Sequence, residues 1–488
     1  MPRQVTILGA GLVGSLLAIL MRRRGYPVSI YERRPDMRKA AIGAGRSINL
    51  AMSARGWHAL ELAGLKEDME PLAIPMKGRF LHQPDGSTAF QPYGRNEEAI
   101  YSISRGELNK RLMSLAEEAG ADIYFNQRCI RVEVSRNAVF LEDPVESASS
   151  FILDNDAVSE SAPTNHSPIF KRQLEVQADL LFGADGAFSA LRQSYSYLDR
   201  VSSAQQFIEY GYKELTIAPS EAGAWRMEKH ALHIWPRGKF MLIALPNIDG
   251  SFTCTLFMPF EGSDSFAALT LDGQEGETAI TSFFEKHFAD ALPLMPDYLE
   301  QFRANPVASL ITTHISQWHY GDKSALIGDA AHAIVPFYGQ GMNAGFEDCS
   351  VLNGLMEAHG EDWMTILNEY QRLRKPAGDA VAELALLNFT EMRDKVADPR
   401  FLQRKKIEKE IGIRYPEQFT SVYELVSFSH TPYATALQCI AAQDRLLERI
   451  MAEGDFEQNC QASAFTQQLD DWMADYHRTV QELDFGRR

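Results

Sequence analysis

The feature that most constrains the fold is a glycine pattern near the N-terminus. Gly9, Gly11 and Gly14 lie within residues 4–32, where a buried apolar run, a helical pattern and an alternating run follow one another. In such a unit the first glycine permits a tight turn, the second lets a pyrophosphate approach, and the third allows close helix–strand packing. The pattern predicts a strand–helix–strand unit that binds a dinucleotide at the helix N-terminus.

Glu32 closes this unit at the end of the second strand. A carboxylate there accepts hydrogen bonds from an adenosine ribose and repels a 2′-phosphate. The sequence therefore favours NAD or FAD over NADP at this site.

Length and charge limit the other possibilities. The chain has 488 residues, enough for two or three domains, and a net charge of -17. That charge opposes binding to nucleic acid or to anionic lipid. An anionic substrate would need a local cation, so interior arginines are candidates for binding it.

Cysteine spacing and hydropathy argue against disulfide-bonded, metal-binding, secreted and membrane proteins. The five cysteines are widely spaced without a C-x-x-C pair, so neither a disulfide framework nor a metal site is predicted. Residues 5–21 are uncharged, but their glycine spacing and the following Arg22–Gly25 oppose a signal peptide. No other stretch is long and apolar enough for a membrane helix.

The rest of the chain divides into a β-rich middle and a helical end. The patterns predict a hairpin over 79–93, a helix over 106–120, strands over 121–133 and 178–183, an antiparallel meander over 229–260, and helices beyond 345. Residues 142–170 are rich in Ser, Asp and Pro and predict an exposed excursion.

Two further motifs accompany the first. Asp185-Gly186 follows the strand at 178–183, and Gly328-Asp329 follows a short apolar run and precedes a glycine-rich stretch that ends at Gly341. In this order and spacing, the three motifs resemble those of the FAD-dependent aromatic hydroxylases with a single dinucleotide fold.

Longer strings narrow the resemblance to the kynurenine 3-monooxygenases. They are residues 45–51 (GRSINLA), 74–76 (IPM), 101–105 (YSISR), 232–237 (LHIWPR), 334–343 (IVPFYGQGMN) and 388–393 (NFTEMR). The similarity extends from about residue 5 to about 430, apart from the 142–170 excursion.

The resemblance implies an α/β fold with three parts. These are a Rossmann-like FAD-binding lobe (1–72, 98–200 and 296–375), an antiparallel β-sheet substrate lobe (73–97 and 201–295) and a C-terminal helical cap (376–488). The C-terminal membrane segment of mitochondrial family members is not matched, which implies a bacterial-type cytoplasmic protein, either monomeric or homodimeric.

The activity implied by the resemblance is hydroxylation of L-kynurenine to 3-hydroxykynurenine in tryptophan degradation. NADPH would reduce FAD, O₂ would form a C4a-hydroperoxyflavin, and no side chain would act as a catalytic acid or base, because the flavin carries the chemistry. His332 is expected to make a structural hydrogen bond.

The resemblance also implies two sets of site residues. The substrate set is Arg79, Tyr93, Asn388, Tyr423, Pro336, Phe337 and Met392, with the first four around the amino-acid carboxylate. The FAD set is Gly9, Gly11, Val13, Gly14, Glu32, Arg33, Ala51, Arg105, Cys129, Asp185, Asp329, Gly341, Met342 and Asn343. The helix that begins near Gly341 would direct its N–H groups towards the flavin.

The predicted hairpin gives some independent support for the substrate set. An arginine can bind a carboxylate in a bidentate manner, through two parallel hydrogen bonds. If the loop is Asp85-Gly86-Ser87, Arg79 lies directly opposite Tyr93 on one face, whereas a four-residue loop would put them on opposite faces.

Two alternatives remain open from the sequence. One is a related flavin hydroxylase of another aromatic acid, in which Arg79 and Asn388 would bind a different ligand. The other is a redox-inactive regulator that uses only the dinucleotide unit, from Gly9 to Glu32.

Overall fold

The computed structural model describes residues 2–39, 49–94, 97–142, 173–391, 399–454, 456 and 463–483. The described strands are β1 (Val5–Leu8), β2 (Val28–Tyr31), β3 (Asn49–Met52), β4 (Ala73–Met76), β5 (Gly78–His82), β6 (Thr88–Pro92), β7 (Ile100–Ser104), β8 (Asp122–Tyr124), β9 (Arg128–Glu133), β10 (Ala138–Glu142), β11 (Gln173–Gln177), β12 (Leu180–Gly183), β13 (Ser203–Ile217), β14 (Ala231–Pro236), β15 (Met241–Pro246), β16 (Phe252–Pro259), β17 (Ala308–Ile315), β18 (His319–Tyr320) and β19 (Ser324–Leu326).

The described helices are α1 (Leu12–Arg23), α2 (Ala54–Leu62), α3 (Lys66–Met69), α4 (Arg105–Glu118), α5 (Ala190–Tyr195), α6 (Phe266–Leu269), α7 (Gly273–His287), α8 (Tyr298–Ala304), α9 (Asp329–His332), α10 (Gly341–His359), α11 (Trp363–Thr390), α12 (Pro399–Arg414), α13 (Val422–Phe428), α14 (Tyr433–Ala452) and α15 (Ser463–Glu482). Short 3₁₀ turns lie at Glu70–Leu72, Leu292–Leu294 and Pro336–Tyr338. No described helix is long and apolar enough to cross a bilayer.

The dinucleotide unit forms the centre of a six-stranded sheet with the order β18-β19-β12-β1-β2-β8. Strand β1 is parallel to both neighbours, with Val5 level with Leu180 and with Val28. All four residues of β1 are buried, and three of them are large and apolar, as is typical of a strand covered on both faces. The predicted strand–helix–strand unit is confirmed.

One predicted strand, 121–133, is wrong as a single element. It is divided into β8, which pairs with β2, and β9, which pairs with β10 in a three-stranded sheet. Asn126 lies between them with a φ of 58°, a left-handed conformation that interrupts an extended strand.

The second large sheet has seven strands in the order β17-β13-β16-β15-β14-β5-β6. The meander β14-β15-β16 is antiparallel, as predicted, and β5 joins its edge parallel to β14. An aromatic-rich core attaches α6, α7 and α8 to the sheet. Strand β17 pairs with β13 and so belongs to this sheet. It lies within the segment 296–375, which the resemblance assigned to the FAD-binding lobe.

The hairpin β5–β6 has a different register from the one expected. Arg79 pairs with Gln91, and the three-residue loop is Pro84–Gly86 with Gly86 at a φ of 83°. The direct opposition of Arg79 and Tyr93 is therefore wrong by two residues. Since side chains alternate with a period of two, Arg79 and Tyr93 still share one face.

The C-terminal part of the described chain is helical, as predicted. Helix α11 packs against α10 and α14 and runs without a break through Pro376. The boundary predicted between the FAD-binding lobe and the helical cap, at residues 375 and 376, therefore falls inside α11, which is part of both.

Together the sheets and helices confirm the mixed α/β fold. The excursion at 142–170 lies outside the described residues, except for its first residue, Glu142.

Candidate active site

The three N-terminal glycines meet two different steric situations. A Cβ at Gly9, whose φ is 97°, would lie 2.6 Å from the carbonyl oxygen of Ala184, and one at Gly14 would lie 2.1 Å from that of Gly9. A Cβ at Gly11 would meet no protein atom within 4 Å. Tight packing thus explains Gly9 and Gly14, whereas the open space at Gly11 suits a ligand that approaches the backbone.

A cavity of about 700 Å³, here called the inner cavity, begins at this turn and ends at the hairpin β5–β6. It is lined by most of the predicted FAD residues, namely Gly9, Gly11, Val13, Glu32, Arg33, Ala51, Arg105, Cys129, Asp185, Asp329, Gly341 and Met342. The cavity therefore brings together residues that are far apart in the sequence and that were predicted to bind one dinucleotide.

Glu32 lines the inner cavity, and its carboxylate is already held by the protein. Oε2 accepts from the backbone N–H of Ala10 (2.9 Å), and Oε1 accepts from the backbone and side chain of Arg34 (3.0 and 2.8 Å). Burial alone would raise the pKa of Glu32, but the Arg34 contacts lower it below the usual value. The group is an ionised acceptor with lone pairs to spare.

Asp185 also lines the inner cavity. Its Oδ2 accepts from the N–H of Ala190 (2.7 Å), while Oδ1 is buried with no hydrogen-bond partner among the described residues. Burial raises the pKa of this carboxyl. An orphaned acceptor inside a cavity is a polar feature that a bound ligand would satisfy.

Asp329 is exposed to the inner cavity at the first position of α9. The preceding Gly328 has a φ of 61°, and its N–H donates to Oδ2 of Asp348 (3.0 Å). His332 Nε2 lies 2.6 Å from the same oxygen, and both side chains are buried. His332 therefore supports the loop that presents Asp329, in agreement with the structural role expected for it.

The N-terminus of α10 points into the inner cavity through Gly341 and Met342. Asn343 behaves differently, because its side chain is fully buried and binds protein. Its Oδ1 accepts from Ser53 N–H, and its Nδ2 donates to the carbonyls of Ala51 and Gly339, all at 2.9 Å. Neither Asn343 nor Gly14 lines the cavity, so both shape its wall from behind.

The far end of the inner cavity holds an arginine beside two stacked aromatic rings. The guanidinium of Arg79 lies 4.7 Å from the ring centre of Tyr423 and 5.5 Å from that of Tyr93, and these two rings stack at 5.3 Å. Arg79 Nε and Tyr93 Oη are buried without hydrogen-bond partners among the described residues. Arg79 forms no ion pair with any described carboxylate, so this end is built to receive an anion.

Although burial disfavours the charged form of Arg79, other groups keep it a cation. Tyr423, Tyr93 and Glu391 raise the pKa of the guanidinium above its usual value. The result is a cation that keeps its charge while partly desolvated.

Apolar side chains separate this cation from the dinucleotide end. Phe337 stacks on Phe389 at 4.2 Å and contacts Phe257 at 4.9 Å, and both Pro336 and Phe337 line the inner cavity. Asn388 does not line this cavity. Its side-chain amide donates to the carbonyl of Phe337 (2.7 Å), so it fixes the wall. Met392, also predicted to bind substrate, lies outside the described residues.

A second cavity of about 1190 Å³, here called the outer cavity, lies between the hairpin β5–β6 and helices α11–α14. Arg79, Tyr93, Tyr338 and Tyr423 line both cavities and so form their junction. Tyr338, which the sequence analysis did not select, stacks on Tyr423 at 5.7 Å. Its place within the string 334–343 was the signal that could have identified it.

Sequence reasoning also missed a buried charge network behind the site. Arg374 donates to Asp348 (2.7 Å) and Glu347 (2.6 Å), and Arg55 pairs with Glu347 and lies 4.1 Å from the ring of Tyr433. Helices α2, α10, α11 and α14 are thereby joined. In the sequence these arginines look like ordinary helix-surface charges, so no local signal could have shown their burial.

Comparison with known proteins gives consistent results. Residues 3–385 match the family described as FAD binding domain. A kynurenine 3-monooxygenase from Flavobacterium psychrophilum is 45% identical over 94% of this chain and 95% of its own length. One from Myxococcus xanthus is 46% identical over 91% and 90%. A solved tetrameric 2-methyl-3-hydroxypyridine-5-carboxylic acid oxygenase has a TM-score of 0.60 at 19% identity, covering 82% of this chain and 95% of that one, which concerns the fold alone.

Proposed function

This chain belongs to the kynurenine 3-monooxygenase family of FAD-dependent enzymes, and we propose that it hydroxylates L-kynurenine at carbon 3 with NADPH and O₂. Per turnover, one oxygen atom enters the ring and the other leaves as water, while NADPH supplies two electrons. The ring amino group donates electron density to the neighbouring carbon and so favours oxygen transfer there.

The residues of the inner cavity fit FAD. The free approach to Gly11, the orphaned Oδ1 of Asp185 and the exposed carboxylate of Asp329 all belong to the lining of this cavity, where a bound dinucleotide would meet them. When bound, FAD supplies the redox chemistry, receiving hydride from NADPH and activating O₂. The protein contributes binding, orientation and exclusion of water.

The observation that carries this proposal is the position of Arg79. It is a cation with no ion-pair partner among the described residues, and it lies beside the stacked rings of Tyr93 and Tyr423 in a cavity that Pro336 and Phe337 also line. A ligand that fits has a carboxylate at one end and an aromatic ring at the other. Kynurenine has this form, and Pro336 and Phe337 would flank its ring.

The test follows NADPH oxidation by the FAD-loaded protein with and without L-kynurenine, and assays 3-hydroxykynurenine and hydrogen peroxide in the same sample. Faster oxidation with an equal amount of hydroxylated product supports the proposal. Faster oxidation that yields only peroxide would make kynurenine an effector and leave another aromatic acid as substrate. No response of a flavin-loaded sample to kynurenine would refute kynurenine as the ligand.

We also propose a cytoplasmic location. The four described cysteines, Cys129, Cys254, Cys349 and Cys439, are all free thiols, which suits a reducing compartment. The proposed reaction consumes NADPH, which that compartment supplies. A monomer or homodimer remains the prediction for the assembly.

A further inference from the structure

We propose that Glu391 binds the α-ammonium group of the substrate, so that the site selects a zwitterionic amino acid over a simple aromatic acid. The inference rests on the proposed function and specifies how the head of that substrate is recognised. Its basis is where Glu391 lies relative to Arg79 and to the two cavities.

The cavities fix the direction in which a bound substrate lies. Its ring must enter the inner cavity, because Pro336 and Phe337 lie there beside the predicted flavin site. Its carboxylate meets Arg79 at the junction. The α-carbon is therefore at the junction as well, and the ammonium group faces the outer cavity.

The wall of the outer cavity offers a carboxylate at that point. Glu391 lines the outer cavity together with Arg79, Tyr338 and Asn388. It follows the last residue of α11 and lies three positions after Asn388, so both side chains project from the same helix face. Since Asn388 is bonded to Phe337, that face is directed at the substrate wall.

Glu391 is close enough to Arg79 for their charges to interact, since its carboxylate helps raise the pKa of the guanidinium. The nearby Glu408 is held by Lys405, whose Nζ lies 3.2 Å from Glu408 and 3.4 Å from Glu391. Together the side chains of Arg79, Lys405, Glu391 and Glu408 carry no net charge. A zwitterionic head preserves that neutrality, whereas a simple carboxylic acid would leave one negative charge in excess beside Glu391.

The experiment compares two ligands that differ only in the α-ammonium group: L-kynurenine and 4-(2-aminophenyl)-4-oxobutanoic acid. Each is titrated into FAD-loaded protein, and Kd is read from the change in flavin absorbance. We expect the wild type to prefer kynurenine by about tenfold or more. In Glu391→Gln that preference should approach unity, because kynurenine loses the partner of its ammonium group and the desamino acid no longer adds to a negative excess.

A matched variant separates recognition from structural support. Lys405→Gln breaks the same ion pair but leaves the Glu391 carboxylate in place, so the preference for kynurenine should persist. An undiminished preference in Glu391→Gln, or equal loss of preference in Lys405→Gln, would overturn the inference while kynurenine remains a ligand. If neither ligand perturbs the flavin of the wild type, the proposed substrate itself is wrong, and the inference fails with it.

Discussion

The side-chain amide of Asn388 donates a hydrogen bond to the carbonyl oxygen of Phe337 at 2.7 Å, and so joins α11 to the turn that walls the inner cavity. The resemblance placed Asn388 at the substrate carboxylate. Its hydrogen bond to Phe337 also places it behind the ring-binding wall, while its position on the outer cavity keeps it near the substrate head. Asn388 thus connects the two ends of the proposed substrate site.

Loss of this bond should change the share of NADPH oxidation that ends as hydrogen peroxide more than it changes flavin binding. In Asn388→Ala the Phe337 carbonyl loses its donor, at a cost of about 1–3 kcal/mol, and the wall loosens. We expect a larger share of NADPH oxidation to end as hydrogen peroxide, because a looser wall admits water. Peroxide and hydroxylated product measured together give the coupling ratio.

The control for this variant is Thr390→Ala, which removes an exposed side chain from the same helix end. Its coupling ratio should equal that of the wild type. A wild-type ratio in Asn388→Ala would show that the turn holds Phe337 without this bond.

Gly11 and Gly14 should respond in opposite ways to the same substitution. Gly11→Ala places its methyl group in open space, so the apoprotein should keep its stability within about 0.5 kcal/mol, while FAD binding weakens by about tenfold or more. Gly14→Ala forces a Cβ to within 2.1 Å of the Gly9 carbonyl and should destabilise the fold by about 1–3 kcal/mol. Denaturant unfolding and flavin-fluorescence titration separate the two effects. Unweakened FAD binding by Gly11→Ala would contradict the proposed approach of the pyrophosphate.

Removal of the Arg79 charge should weaken substrate binding and spare the flavin. Arg79→Met keeps most of the side-chain volume but leaves the substrate carboxylate without its cation, which costs about 2–4 kcal/mol or roughly 30- to 1000-fold in Kd. Titration of kynurenine, followed by flavin absorbance, measures the change. Lys77→Met is the control, because Lys77 lies two residues earlier and pairs with Glu97 at the surface. Flavin loss in Arg79→Met would place this residue in the cofactor site instead.

The sequence was sufficient for the features that depend on local geometry. The roles of Gly9, Gly11 and Gly14 follow from backbone sterics within one short segment, and the structure gives each glycine the surroundings expected. The meander β14-β15-β16 was predictable for the same reason, because alternating side chains and turn residues are read directly from consecutive positions.

Features that depend on long-range packing could not be read in this way. The register of β5–β6 differed by two residues because the turn type, with Gly86 in the left-handed region, chose a loop one position earlier. The role of Asn388 depends on contact with Phe337, 51 residues earlier in the chain. Glu391 and Tyr338 became candidates only when the cavities showed them beside Arg79.

The last prediction concerns acid stability and rests on a histidine pair in the seven-stranded sheet. His82 Nε2 lies 2.9 Å from His233 Nδ1, and His233 Nε2 lies 2.8 Å from the carbonyl of Glu228. A carbonyl only accepts, so His233 Nε2 carries the proton, its Nδ1 accepts, and His82 donates. Protonation of His233 at Nδ1 would remove that acceptor.

Burial, with the neighbouring His233, lowers the pKa of His82 to about 4, against about 6.5 when unfolded. Between these values the unfolded chain binds more protons than the folded one, so His82 lowers stability as the pH falls from about 6.5 to about 4. His82→Gln should flatten this part of the stability profile, whereas His359→Gln, at an exposed helix end, should leave it unchanged. Urea unfolding of the FAD-loaded proteins at pH 7 and pH 5 measures both. An equally steep loss of stability in His82→Gln would show that other groups govern the acid response.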